Sequence, residues 1–225
     1  MTNERQRVRA IHRRLLRHFG ELEPPRRADP LEELILTVLS QHTSDANAER
    51  AFGSLRARFP TWEAVVRARP ATVADAIRSG GLANTKAPRI QAILRAVLER
   101  EERFDLARLR RLPDGEAVRY LTSLPGVGPK TAAVVLAFAL GRPAIPVDTH
   151  VHRVATRLGL VPRSSAERAH RALEALVAAE LKVPLHVGLI RLGRETCKAG
   201  RPRCQECPLV DLCPTAPTVL GSPIA

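Results

Sequence analysis

The sequence predicts an all-α protein. Three observations predict it. Apolar residues recur three and four apart through most of the chain, strand-like alternation is nearly absent, and glycine or proline marks the ends of several periodic segments.

Taken in order, the basic amphipathic segment Arg5–Phe19 reads as a first helix stopped by Gly20. The proline-rich stretch Glu23–Pro30 reads as a linker. Leu31 opens the run LEELILTVLSQ, apolar enough for a core helix, and Ser44–Asp45 can cap a following helix through Phe59. Short helices fit TWEAVVRA and PATVADAIR. A Ser79–Gly80–Gly81 turn then leads into an amphipathic helix over Lys86–Glu101. Further helices fit Gly115–Leu121, Lys130–Leu140, Thr149–Leu158, Ala166–Glu180 and Pro184–Gly193. The tail PTAPTVLGSPIA is poor in core formers and reads as loosely held.

A chain of 225 residues can bury a sizeable core, as one large domain or two small ones. No apolar run approaches the roughly 18–20 residues that span a bilayer. The N-terminal MTNERQRVRAIHRRLL is too charged for a secretory signal. These features predict a soluble protein with no membrane partner. Thirty-six basic residues against 23 acidic ones leave +13, spread along the chain. That excess attracts polyanions, with nucleic acid the usual partner, although a genome biased to arginine would give the same composition. Only four basic residues are lysines: Lys86, Lys130, Lys182 and Lys198. In a chain that otherwise uses arginine, each of these positions invites a chemical reason.

The segment LPGVGPKTA carries the first motif. Gly126 and Gly128 allow a tight turn and a close backbone approach to a ligand, and Pro129 suits the first position of a helix. Exposed amides at the start of that helix make a phosphate site. The whole reads as a helix–hairpin–helix that grips a DNA backbone without reading sequence. Lys130 follows directly. Gripping phosphate is its plainest role, but a lysine amine can also lose its proton and act as a nucleophile, which arginine cannot. A free lysine has a pKa near about 10.4, so such a role needs a local environment that favours the neutral amine.

About eighteen residues further on, PVDTHVHRVATRLGL begins another helix, with Asp148 placed to cap it. A carboxylate fixed at a helix start can also face a reaction centre. His150 and His152 lie two apart, on different sides of a helix, and make a poor metal pair. The four cysteines all fall between Cys197 and Cys213 in the pattern C-x6-C-x2-C-x5-C. Clustering of this kind in a chain without an export signal points to a metal or cluster site rather than a disulfide framework. Spacing alone suits zinc as well as iron–sulfur.

Together LPGVGPK and VDTH resemble the helix–hairpin–helix plus Gly/Pro–Asp signature of base-excision DNA glycosylases, and the cysteine spacing resembles that of the endonuclease III branch. The resemblance runs from about Leu31 to Cys213. It implies two helical lobes with a DNA cleft between them. One is a six-helix barrel over residues 26–142 that carries the hairpin; the other combines residues 1–25 with 143–225 and holds the cluster. It implies a [4Fe-4S] cluster on Cys197, Cys204, Cys207 and Cys213. Lys198, Arg201 and Arg203 fall in the family's basic DNA-facing loop. Lys130 matches the catalytic amine and Asp148 the catalytic aspartate. The implied activity is removal of oxidised pyrimidines from duplex DNA, through a Schiff base on the lysine and then β-elimination. Double-stranded DNA with a damaged base or an abasic site would be the partner of a monomeric, cytoplasmic and nucleoid-associated prokaryotic enzyme.

Leu82 matches a leucine that wedges into the duplex. The family's gap-filling glutamine aligns with His42, with Gln41 beside it, and the aromatic that usually follows the wedge is Ala83 here. Ser40, Asp45 and His150 are the polar residues expected at the lesion pocket. Two other readings compete. A mismatch adenine glycosylase shares the hairpin and cluster but normally lacks the lysine and carries a further domain. A non-catalytic DNA-binding or damage-sensing module would need neither a deprotonatable amine nor its carboxylate partner, so Lys130 and Asp148 together argue against it; a lyase with little glycosylase activity would be a reduced form of the family's own reaction.

Overall fold

A computed structural model describes residues 3–23 and 29–221 of the chain. Every regular element among them is helical. The chain divides into two compact units. One is the continuous middle, Arg26–Arg142; the other joins the two ends, Met1–Pro25 and Pro143–Ala225. Most of the expected linker over Glu23–Pro30, and the last four residues of the tail, lie outside the described residues.

The middle unit is built around α2 (Pro30–Ser40). Asp29 caps it by accepting from the Leu31 and Glu32 amides, and Pro30 takes the first position, where no N–H is needed. Leu31, Leu34, Ile35, Val38 and Leu39 are completely buried, because α3 (Asp45–Arg58), α6 (Ala83–Glu101) and α8 (Pro129–Val134) all pack against this helix. Ser44 caps α3 through the Asn47 amide. Between α3 and α6 come α4 (Trp62–Arg67), capped by Thr61, and α5 (Pro70–Ala76). A 3-10 turn, Arg78–Gly80, ends on Gly81 at φ +67, and Leu82 follows, also left-handed at +49. Helix α7 (Asp114–Thr122) leads into the hairpin and α8. The helix expected over Lys130–Leu140 forms with a difference. Its second half, Val135–Ala139, widens to π geometry, and the Leu140 amide bonds five residues back to Val135.

The unit made from the chain ends packs α1 (Asn3–Phe19) on α11 (Lys182–Glu195), and α11 on α9 (Thr149–Arg157), with α10 (Ala166–Leu176) also against α9. Val8, Ile11 and Leu15, one stripe of α1, are buried in the same core as Val151, Leu185 and Leu189. Gly188 permits the close approach of α1, since a Cβ there would lie 3.0 Å from Leu15 Cδ1. At the end of α1, Arg191 donates to the Phe19 carbonyl at 3.0 Å and lies over its ring. The tail is more ordered than its composition suggests. Ala216–Leu220 forms α12, and Ala216 is buried against the cysteine-bearing segment.

Candidate functional site

The hairpin lies between Leu124 and Pro129 in the middle unit. Its two glycines serve different ends. Gly126 sits at φ +70, and a Cβ there would stand 2.8 Å from both Cδ and Nε of Arg89. It must be glycine for backbone and for space. Gly128, at φ −95, has an ordinary backbone, and an added Cβ would meet nothing within 4 Å. Packing inside the chain therefore leaves Gly128 free to be larger.

Lys130 is the second residue of α8 and half-buried. The other three lysines are all committed. Lys86 is buried and donates to the Leu39 and Gly80 carbonyls at 2.6 and 2.7 Å. Burial, and next the Arg89 charge, lower its pKa. Lys182 pairs with Glu174, and Lys198 donates to the Arg194 carbonyl. Lys130 alone of the four makes no hydrogen bond or ion pair among the described residues.

Asp148 caps α9, its Oδ1 accepting from the Val151 amide at 2.7 Å. Oδ2 is unclaimed among the described residues. The segment leading to it is pinned at two points. The Ile145 amide donates to Glu174 at 2.8 Å, and His186 Nδ1 donates to the Pro146 carbonyl at 2.7 Å. A carbonyl only accepts, so the His186 proton sits on Nδ1. His150, the second residue of α9, has its Nδ1 held by Arg153 at 3.1 Å, while Arg153 also donates to the Gly193 and Cys197 carbonyls.

Cys197, Cys204, Cys207 and Cys213 line one apolar cavity together with Leu192 and Val219. No three His, Cys, Asp or Glu side chains among the described residues close on a single-ion centre; the four thiols stand around a shared space. Burial pushes the Cys207 thiol up to about 11, helped by the neighbouring sulfurs, and burial also raises Cys204. Arg157 supplies the opposing charge. It donates to Cys197 Sγ at 3.3 Å and to the Lys198 and Ala199 carbonyls at 2.6 and 2.8 Å. A cationic donor facing sulfur stabilises thiolate ligands. The donor set and its apolar walls fit an iron–sulfur cluster. In the loop between the first two cysteines Lys198, Arg201 and Arg203 are all exposed, with Arg203 donating to the Glu195 carbonyl and pairing with Glu206 at 3.2 Å.

Of the remaining expected residues, Leu82 is 57% exposed, unusual for a leucine, at the left-handed start of α6. Gln41 ends α2 and accepts from Arg89 at 2.9 Å; His42 follows, exposed and left-handed at φ +56. Ser40 donates to the Thr37 carbonyl within its own helix, and Asp45 is the exposed first residue of α3. Reading the sequence missed Arg89, Arg153, Arg157 and His186. The spacing of His150, Arg153 and Arg157, three and four apart on one helix face, was a usable signal for two of them.

Comparison with known proteins agrees with this chemistry. The profile described as HhH-GPD superfamily base excision DNA repair protein matches residues 35–179. That of the iron–sulfur binding domain of endonuclease III matches residues 197–213, the span of the four cysteines. The endonuclease III of Thermotoga maritima is 38% identical over 82% of this chain and 83% of its own, and that of Escherichia coli K12 is 38% identical over 83% and 84%. Among solved structures, a trapped endonuclease III–DNA covalent intermediate described as an estranged-adenine complex is 32% identical. It superposes with a TM-score of 0.83 over 98% of this chain and 100% of that one.

Proposed function

Because the chain belongs to the HhH-GPD superfamily of base excision DNA repair proteins, and within it to the endonuclease III family, we propose that it excises oxidised pyrimidines from duplex DNA with Lys130 as nucleophile and Asp148 as its carboxylate partner. The activity class is that of the family: DNA glycosylase and abasic-site lyase. Its cofactor is a [4Fe-4S] cluster, held by Cys197, Cys204, Cys207 and Cys213, which gives the loop bearing Lys198, Arg201 and Arg203 a fixed frame.

The observation that carries the assignment is the uncommitted amine of Lys130, in a chain whose other lysines are tied to carbonyls or a carboxylate. With a damaged base turned out of the stack, the Lys130 amine forms a bond to the sugar C1′ as the bond from C1′ to the base breaks. The departing base takes up a proton, and the amine, having lost its own, becomes an imine once the sugar ring opens. Removal of a C2′ proton then expels the 3′ phosphate, cutting the strand by β-elimination. Asp148, with Oδ1 occupied as a cap, offers Oδ2 to hold a proton or face the developing positive charge at C1′.

Gly128 leaves room for a phosphate at the hairpin, Leu82 wedges into the duplex, and the Gln41–His42 turn meets the base left without a partner. Ser40, Asp45 and His150 contribute polar contacts to the turned-out base. The enzyme works as a monomer on damaged or abasic duplex DNA, with the chromosome in the cytoplasm. No helix among the described residues is long and apolar enough to cross a membrane.

Borohydride trapping on a duplex with an oxidised thymine and on an abasic duplex tests this reading. Covalent adducts are expected on both and absent in Lys130→Gln, which retains DNA binding. An adduct that survives Lys130→Gln would overturn the assignment. An adduct on the abasic duplex alone would leave a lyase and remove the glycosylase step.

A further inference from the structure

Arg89 joins three parts of the middle unit that the proposed function uses separately. Its stem lies against Gly126, where the hairpin has no side chain and no room for one. Its Nη1 donates to Gln41 Oε1 at 2.9 Å, at the end of α2. Its own helix, α6, begins beside Leu82 and is bolted to the same place by Lys86, one turn earlier, which holds the Leu39 and Gly80 carbonyls.

This arrangement has a chemical consequence for Gln41. A guanidinium has only donors and keeps its proton at any working pH. The amide facing it must present its carbonyl, because its NH2 end would set donor against donor. The Gln41 carbonyl is therefore spent on Arg89 and the NH2 is turned away from it. The Gln41 amide N–H is likewise engaged, by the Val38 carbonyl, and the chain then turns through the left-handed His42. A free glutamine can turn either end of its amide to a base; this one is held with its NH2 donors directed away from Arg89.

We propose that Arg89 is a positioning residue that fixes the Gln41 amide with its NH2 group outward, and through it sets the preference for the base opposite the lesion. The proposal rests on the reading that the Gln41–His42 turn meets that base. A related endonuclease III has been trapped in an estranged-adenine complex, so an unpartnered base is part of what such an enzyme encounters.

The test measures excision of one oxidised pyrimidine opposite each of the four bases, for the wild type, Arg89→Met, Arg89→Lys, Gln41→Ala and the Arg89→Met/Gln41→Ala pair, with each variant's thermal midpoint recorded. Arg89→Met should change the ratio between opposite bases by about two- to tenfold, the range of one hydrogen bond. Arg89→Lys, which keeps a donor, should restore part of it. In the Gln41→Ala background the Arg89 substitution should have no further effect on the ratio. Three results would overturn the proposal. One is an unchanged ratio with weaker binding to every duplex and a salt slope lower by about one, which would make Arg89 a phosphate contact. Another is a lowered midpoint with the ratio intact, which would make it structural. The third is a ratio that still shifts when Gln41 is alanine. Failure of the underlying reading looks different: Gln41→Ala and His42→Ala would each leave the ratio at the wild-type value while Lys130-dependent trapping persists.

Discussion

Lys86 shows how a buried charge can serve structure alone. It is 2% exposed, and its ammonium satisfies two carbonyls, Leu39 and Gly80, that would otherwise be buried without donors. Burial and the Arg89 charge both oppose the ionised form, so the two bonds must outweigh that cost. Replacing it with methionine keeps most of the volume and removes the donors. Leaving two buried carbonyls unpaired costs about 1–3 kcal/mol each, and relief from ammonium desolvation returns part of it. Lys86→Met should therefore lose about 1–3 kcal/mol, read as a lower urea midpoint at unchanged slope. A midpoint equal to the wild type would mean that water or a shifted backbone serves those carbonyls. Neither this residue nor Arg89 could be understood from sequence. Lys86 reaches one nearby carbonyl, Gly80, but its other partner, Leu39, and Arg89's partner, Gln41, lie 47 and 48 positions away.

The helices were legible where their ends are local. Pro30, Ser44, Thr61, Asp148 and Ser165 each stand at a start they can make on their own, by ring geometry or by a side-chain oxygen. The π turn over Val135–Ala139 was not legible, because its run of small apolar residues is equally good α-helix and packing of α2 against it is a tertiary matter. The cysteine segment lies between these cases. Its spacing announced a metal or cluster site and the family resemblance chose the cluster, while the short 3-10 turns Cys204–Glu206 and Val210–Leu212, and the two-pronged grip of Arg14 on Asp211, depend on helices far off in sequence. A pH effect belongs to this element. With the cluster removed, the folded state holds the Cys207 proton more tightly than the unfolded chain does, since its pKa stands at about 11 against an ordinary value near 9. That contribution to stability is complete below about pH 9 and is lost as pH rises toward about 11. The cluster-free protein should show a urea midpoint falling across that window, and the iron-loaded protein, whose sulfurs are already ligands, should not. Equal pH profiles for the two forms would refute it.

At the scale of the whole molecule the net charge of +13 governs encounter with DNA. Binding through backbone phosphates releases counterions, so affinity for an undamaged duplex should fall on a straight line in log Kd against log salt. A loss of at least about a hundredfold between about 50 and 200 mM salt is expected, corresponding to about four or more phosphates neutralised. A flat dependence would mean that the basic residues are occupied by carboxylates and carbonyls of the protein itself.

One of the two units is continuous in the chain and the other is not, and this orders events during synthesis. Residues 26–142 form a unit that is one unbroken stretch of chain, so all of its elements are made within a single interval. Helix α1 is placed otherwise. Its buried stripe, Val8, Ile11 and Leu15, is completed by residues such as Leu185 and Leu189 that are made more than 160 residues later, and at about 5–20 residues per second that interval lasts on the order of ten to thirty seconds. Through that time the apolar stripe of α1 waits in the nascent chain for the residues that will cover it. Translation of α11 is therefore the event that lets α1 bury its stripe, however early the residues between them have found their own partners.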